Sequence, residues 1–149
     1  VTINGLNPVY GPTNAFWNST KPTDTQITLG PSGIQNANGS KYIGYLFASI
    51  PGISKVGSYV GNGTSQNIDC GFSNGASFVL IRAASGTANW ILVDTRRGLN
   101  NQITLSGNTP QANSGEITSF AGGFALNNTN SADKNGNGTT YMFYAIAAP

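Results

Sequence analysis

The residues from Asn38 to Ser49 recur near the end of the chain, from Asn137 to Ala148, and this recurrence limits the possible folds more than any other feature. Laid over each other without a gap, the two stretches place Gly39 on Gly138, Tyr42 on Tyr141, Tyr45 on Tyr144, Phe47 on Ile146 and Ala48 on Ala147. The spacing of 99 residues (138 − 39) is close to the length of one β-sandwich of about 100 residues. With a small change of length the match runs further back. Ile27, Thr28 and Leu29 then fall on Phe124, Ala125 and Leu126, and Ile3, Asn4, Gly5 and Pro8 fall on Leu105, Ser106, Gly107 and Pro110. The sequence therefore reads as one and a half tandem copies: residues 1–52 as the C-terminal half of a preceding repeat, and 53–149 as a complete one.

Composition says what kind of repeat this is. Charged residues make up 8% of the 149, against about 25% in ordinary soluble domains. Amides, hydroxyls and 20 glycines fill their place. Few Lys and Glu argue against long exposed helices, whereas Gly, Asn and Thr suit short strands joined by tight turns. Strand-like runs are predicted at Thr25 to Leu29, where Ile27 and Leu29 alternate with polar neighbours, and at Tyr42 to Ile50, apolar at nearly every position as in a strand buried on both faces. In the second copy they fall at Lys55 to Val60, Gln66 to Cys70, Phe78 to Ile81, Trp90 to Val93, Ile103 to Leu105, Gly122 to Leu126 and Thr140 to Ala148, with Val1 to Gly5 as a further short candidate. Helical spacing never lasts beyond about a turn. The expected fold is all-β, an antiparallel β-sandwich of jelly-roll-like or Ig-like form.

On this reading residues 1–50 lack their opening strands. Those strands would come from sequence before Val1, from the second repeat or from another subunit, because unpaired apolar edges aggregate unless covered. The numbering opens at Val1 with neither Met nor a basic-then-apolar leader, so it is expected to begin after processing or inside a longer protein, and the half repeat favours the second.

The inventory for catalysis is thin. With no His there is no imidazole base and no Ser-His or Cys-His pair. The carboxylates Asp24, Asp69, Asp94, Glu116 and Asp133 are scattered along the chain, without the close pair a glycosidase uses. An enzyme is not expected, and no cofactor is implied. Cys70 stands alone and reads as a buried small hydrophobe. The net charge of +2, with Arg96 and Arg97 the only adjacent basic pair, does not make a nucleic-acid groove, and no apolar run approaches a membrane span.

Two features could bind something. Asp133, Asn135 and Asn137, followed by Gly138, match the opening of a calcium loop, in which oxygens two residues apart converge on one ion. The twelfth position, however, is Tyr144 rather than a carboxylate, and a hairpin-type turn explains the same residues without metal. Trp17 and Trp90, with Tyr10 and Tyr59, could form a flat platform for sugar rings, with Arg96 and Arg97 as polar contacts; Trp90 reads more simply as a core residue that begins a buried strand, and Asp94 with either arginine as a local ion pair.

The run from Gly57 to Phe72, with Phe78 to Arg82, Trp90, Asp94 to Gly98 and Gly138 to Tyr141, is similar to a repeat of virion proteins of tailed bacteriophages from aquatic bacteria. Cyanophage fibres, knobs and other appendage proteins carry it. The resemblance covers Lys55 to Ala148 and, as the tail of a preceding copy, Trp17 to Ser49. It implies a structural virion component, virion-borne and extracellular, whose partners are copies of itself or other virion proteins, with a host-surface glycan as a further contact. It brings no catalytic or ligand-binding residues with it. The competing expectation is a carbohydrate-binding adhesin or filament subunit of a bacterial surface.

Overall fold

The computed structural model describes residues 14–21, 23, 25–85, 87–127 and 129–149. The predicted strand at Val1 to Gly5 and the residues Tyr10 and Asp24 lie outside them. The chain divides into two compact units, one within Val9–Leu46 and a larger one that includes Phe47–Pro149.

The larger unit is an antiparallel β-sandwich. Its described strands are β1 (Ser54–Val60), β2 (Gln66–Asp69), β3 (Ala76–Ala83), β4 (Ile91–Asp94), β5 (Asn101–Thr104), β6 (Ala112–Asn113), β7 (Ile117–Phe120), β8 (Gly123–Leu126) and β9 (Thr140–Ala147). Six form one sheet in the order β1-β9-β3-β4-β5-β6, and three form the other in the order β2-β8-β7. Every pairing is antiparallel. The most apolar runs, β3 and β9, lie inside the six-stranded sheet, where both edges of each strand are hydrogen-bonded and neither face is fully wet.

Alternation then selects the core. Val79, Ile81, Ile91, Val93, Tyr141, Phe143 and Ala145 point from the large sheet toward Ile68, Ile117, Phe124 and Leu126 of the small one, and all are buried. The rings of Phe124 and Phe143 meet edge to face across the sheets, 5.4 Å between centroids. Tyr59, one of the predicted platform aromatics, is half-buried and instead packs against this core, stacking on Tyr141 at 5.2 Å. Its Oη donates to the carbonyl of Lys134 at 2.5 Å, and burial, with Tyr141 adding to it, pushes its pKa far above the usual tyrosine range.

The smaller unit departs from the prediction. It holds two single-turn helices, α1 (Asn14–Trp17) and α2 (Gly33–Asn36), and no described strand. Thr25 to Leu29 forms no ladder, and neither does Tyr42 to Ser49 where the chain leaves the unit. The reason is pairing. Both segments carry strand-like sequences, but strand structure exists only where a neighbour completes the hydrogen bonds, and none is supplied among the described residues.

Candidate assembly surface

The internal repeat survives in three dimensions as a hydrogen-bonded turn built twice. In the smaller unit the carbonyl of Ser32 accepts from the amides of Gln35 (3.2 Å) and Asn36 (2.9 Å), while its hydroxyl accepts from the amide of Ile34 at 3.3 Å. In the larger unit Ser131 does the same for Lys134 (3.1 Å), Asn135 (2.8 Å) and Asp133 (3.3 Å). The Asn36 amide reaches back to the carbonyl of Gly30 at 3.1 Å, and that of Asn135 to the carbonyl of Thr129 at 2.9 Å. Gly39 and Gly138 turn the chain at φ of 75° and 77°, conformations that cost a side-chain-bearing residue strain. A tyrosine closes each copy. Tyr42 Oη accepts from the Ala37 amide (3.0 Å) and donates to the Gly33 carbonyl (3.1 Å); Tyr141 Oη accepts from the Gly136 amide (2.8 Å) and donates to the Ala132 carbonyl (2.8 Å).

Beyond the closing tyrosine the two copies diverge. After Tyr141 the chain runs as β9 between β1 and β3. After Tyr42 the equivalent residues make no ladder among the described residues, and their apolar side chains are open to solvent: Ile43 83%, Tyr45 71%, Leu46 76% and Phe47 54% exposed. Single exposed apolar residues are ordinary, whereas several close together form a contiguous apolar patch. Full burial of each is worth about 1.5–3 kcal/mol. Only the end of the segment is tied down. The Ile50 and Ser54 backbones bridge, Ser54 Oγ donates to the Ala48 carbonyl at 2.8 Å, and Ser49 Oγ accepts from the Val56 amide at 2.9 Å.

The outer face of the six-stranded sheet continues this apolar character. Cross-strand register places Val56, Tyr144, Leu80, Leu92 and Ile103 in one row across β1, β9, β3, β4 and β5. Leu80, Leu92, Ile103 and Tyr144 are half-buried, and Val56 is exposed. Phe47 lies over this face with its ring 4.7 Å from that of Tyr144.

The residues nominated from sequence serve mainly to hold loops. Asp133 accepts from the backbone and side-chain amides of Asn89, at 2.6 and 3.1 Å. Asn135 Oδ1 accepts from the amide of Asn62 (3.1 Å) and the side chain of Gln66 (2.5 Å), and Asn137 is exposed. The oxygens of Asp133 and Asn135 are thus turned to different partners within the protein. Among the described residues no three His, Cys, Asp or Glu side chains cluster as metal ligands would. Arg97 pairs with Asp94, its amide also bonding Asp94 Oδ1 at 2.9 Å, as the local ion-pair reading expected; Arg96 is exposed on the same turn.

Trp90 is half-buried with the Arg82 guanidinium 6.0 Å from its ring centre. Arg82 itself is fully buried, donates to the Ala88 carbonyl, and has its pKa lowered by burial, an effect that Asp133 opposes. Trp17 ends α1 in the smaller unit, half-buried. An open depression near the Arg96 turn, about 500 Å³, is lined by Thr95, Asn100, Thr118 and Ser119 together with Leu99, Ile117 and two glycines, a mainly apolar lining without a charged centre.

One buried ionic arrangement had no sequence signal. Lys134 is 1% exposed, pairs with Glu116 and donates to Gln102 Oε1, and Thr129 Oγ1 donates to the other Glu116 oxygen at 2.6 Å. Burial alone would raise the Glu116 pKa; bonds from Lys134, Thr129 and Ser114, with the Lys134 charge, hold it below the usual carboxylate range. The group ties the loop after β8 to β5 and β7, and so fixes the turn that launches β9. No helix in the described residues is long and apolar enough to cross a membrane.

Neither the curated proteins nor the solved structures contain a match to this chain. One family model does match, over residues 2–149 and so almost end to end, and the chain belongs to that family, described as Domain of unknown function (DUF7483).

Proposed function

We propose that this protein is a structural module of a tailed-phage virion, a fibre, knob or capsid-appendage element, that works by joining further β repeats of its own kind and presents a neutral polar surface to the host. The observation that carries the assembly reading is the segment Tyr42–Ser49. It comes after a turn bonded like the one before β9, carries a β9-like sequence, and holds its apolar side chains in solvent. A strand with open edges and apolar faces pairs by β-augmentation. The virion setting is supported by the sequence resemblance of Gly57–Phe72 and Asp94–Gly98.

The test is quantitative mass spectrometry of purified virions from a phage that encodes the protein, with immunogold labelling of intact particles. A fixed copy number per particle and label at an appendage are expected. Absence from particles that form normally would overturn the virion reading.

A further inference from the structure

We infer that the strands completing Tyr42–Ser49 belong to a related but different repeat, one whose β1-type strand carries a bulky side chain where this chain has Gly57, and that a second copy of this chain is not the occupant. The inference rests on the assembly reading and names its partner.

The first ground is vacancy. β9 pairs with β1 from Ser54↔Ile146 to Val60↔Thr140 and with β3 from Ala76↔Ala147 to Ala83↔Tyr141. The slot between β1 and β3 is therefore filled by the chain's own β9, and a second copy has no such slot to offer.

The second ground is side-chain size. Shifting the β9 register by the repeat spacing puts Gly44 where Phe143 stands and Leu46 where Ala145 stands, while Tyr42 and Tyr45 keep the tyrosines at 141 and 144. Phe143 is 5% exposed and lies so close over Gly57 that a Cβ there would come within 2.7 Å of its ring. It also packs against Phe124 at 5.4 Å and Tyr59 at 6.1 Å. Gly44 in that place, opposite Gly57, would leave the whole volume empty. Ala145, fully buried between Lys55 and Val79, would become the larger Leu46 and overfill its site. A fitting partner inverts both sizes. It is an antiparallel strand pair with a Phe- or Leu-sized residue facing Gly44 and a Gly or Ala in the Val79 position beside Leu46.

A copy of residues 53–102 fused ahead of Val1 supplies β1- and β3-type strands to the full chain, and amide exchange over 42–49 reads whether they are used. Two fusions are compared, one unmodified and one with Gly57→Phe and Val79→Ala in the added copy only. Where the double substitution disturbs the added copy, Gly57→Leu alone carries the same comparison. The expected result is exchange slowed by about tenfold or more in the resized fusion relative to the unmodified one. Equal protection by both fusions, or by neither, overturns the inference. So does protection of 42–49 in the unfused chain that rises with protein concentration, which would make a second copy the occupant and leave the assembly reading standing. Protection of 42–49 in the dilute unfused chain would overturn both.

Discussion

Tyr42 and Tyr141 make the same pair of hydrogen bonds, one to the amide five residues earlier and one to the carbonyl nine residues earlier, yet Tyr42 is 47% exposed and Tyr141 is fully buried. The local turn is therefore encoded by its own residues, and burial is contributed by the strands around it. Removing the two hydroxyls separates these contributions. Tyr141→Phe leaves the Gly136 amide and Ala132 carbonyl short of a partner inside the sandwich and is expected to cost about 1–3 kcal/mol. Tyr42→Phe, where water replaces the hydroxyl, is expected to stay within about 0.5 kcal/mol. Denaturant unfolding of both variants measures the difference.

Backbone crowding gives a second contrast between the two copies. A Cβ on Gly61 would sit 2.3 Å from the Gly136 carbonyl oxygen, and that oxygen belongs to the turn before β9 and cannot swing aside. Gly61→Ala is expected to lower stability by about 3 kcal/mol or more. Gly33→Ala, in the single turn α2 with open space around the added carbon, is expected to change it by less than about 0.5 kcal/mol. Thermal unfolding of the pair checks this.

The sandwich was legible because its strands carry their signal locally. β1, β2, β4, β8 and β9 fall on predicted runs to within a residue, β3 extends two residues beyond its predicted run at each end, and β5 overlaps its predicted run. β7 was missed because Ile117 to Phe120 has one buried apolar position among polar neighbours, and β6 because two residues hold no period. The strands expected at Thr25 to Leu29 and Tyr42 to Ile50 failed for the opposite reason: the pattern is present and, among the described residues, the pairing partner is not. The repeated turn was visible in the sequence from Gln35 to Gly39, although the ungapped match continues back to Ser32 and Ser131, residues too common to stand out before their hydrogen bonds were seen. Nothing in the sequence joins Lys134 to Glu116, since the fold alone brings them together.

That ion pair makes acid sensitivity a test. The folded-state pKa of Glu116 is depressed, so its contribution is fully present above the unfolded value near 4.3 and is lost as pH falls through the folded value. Glu116→Gln leaves the buried Lys134 ammonium without its counter-charge. At neutral pH it is expected to cost about 3 kcal/mol, the low end for one partner of a buried pair, because the Glu116 side chain is 26% exposed. Below the folded pKa the variant and the parent should converge. Unfolding measured across the acid range reads both effects.

Cys70 is buried, and burial with the neighbouring Asp69 pushes its thiol up to about 11 against the opposing pull of Lys55. The reactive thiolate is then scarce at neutral pH. Alkylation of the native protein is expected to be slow and to accelerate toward pH 11 or on unfolding, followed by mass spectrometry of the modified fraction. Fast labelling of the folded protein at neutral pH would contradict the buried placement.

The central claim, that Tyr42–Ser49 carries a β9-type sequence which becomes a strand only with partners outside the described residues, is tested most directly by amide exchange on the dilute isolated protein. The amides of 42–49 are expected to exchange at nearly the unprotected rate, while those of 140–147, paired on both sides, exchange only with global opening. Comparable protection of the two segments in the monomer would contradict it.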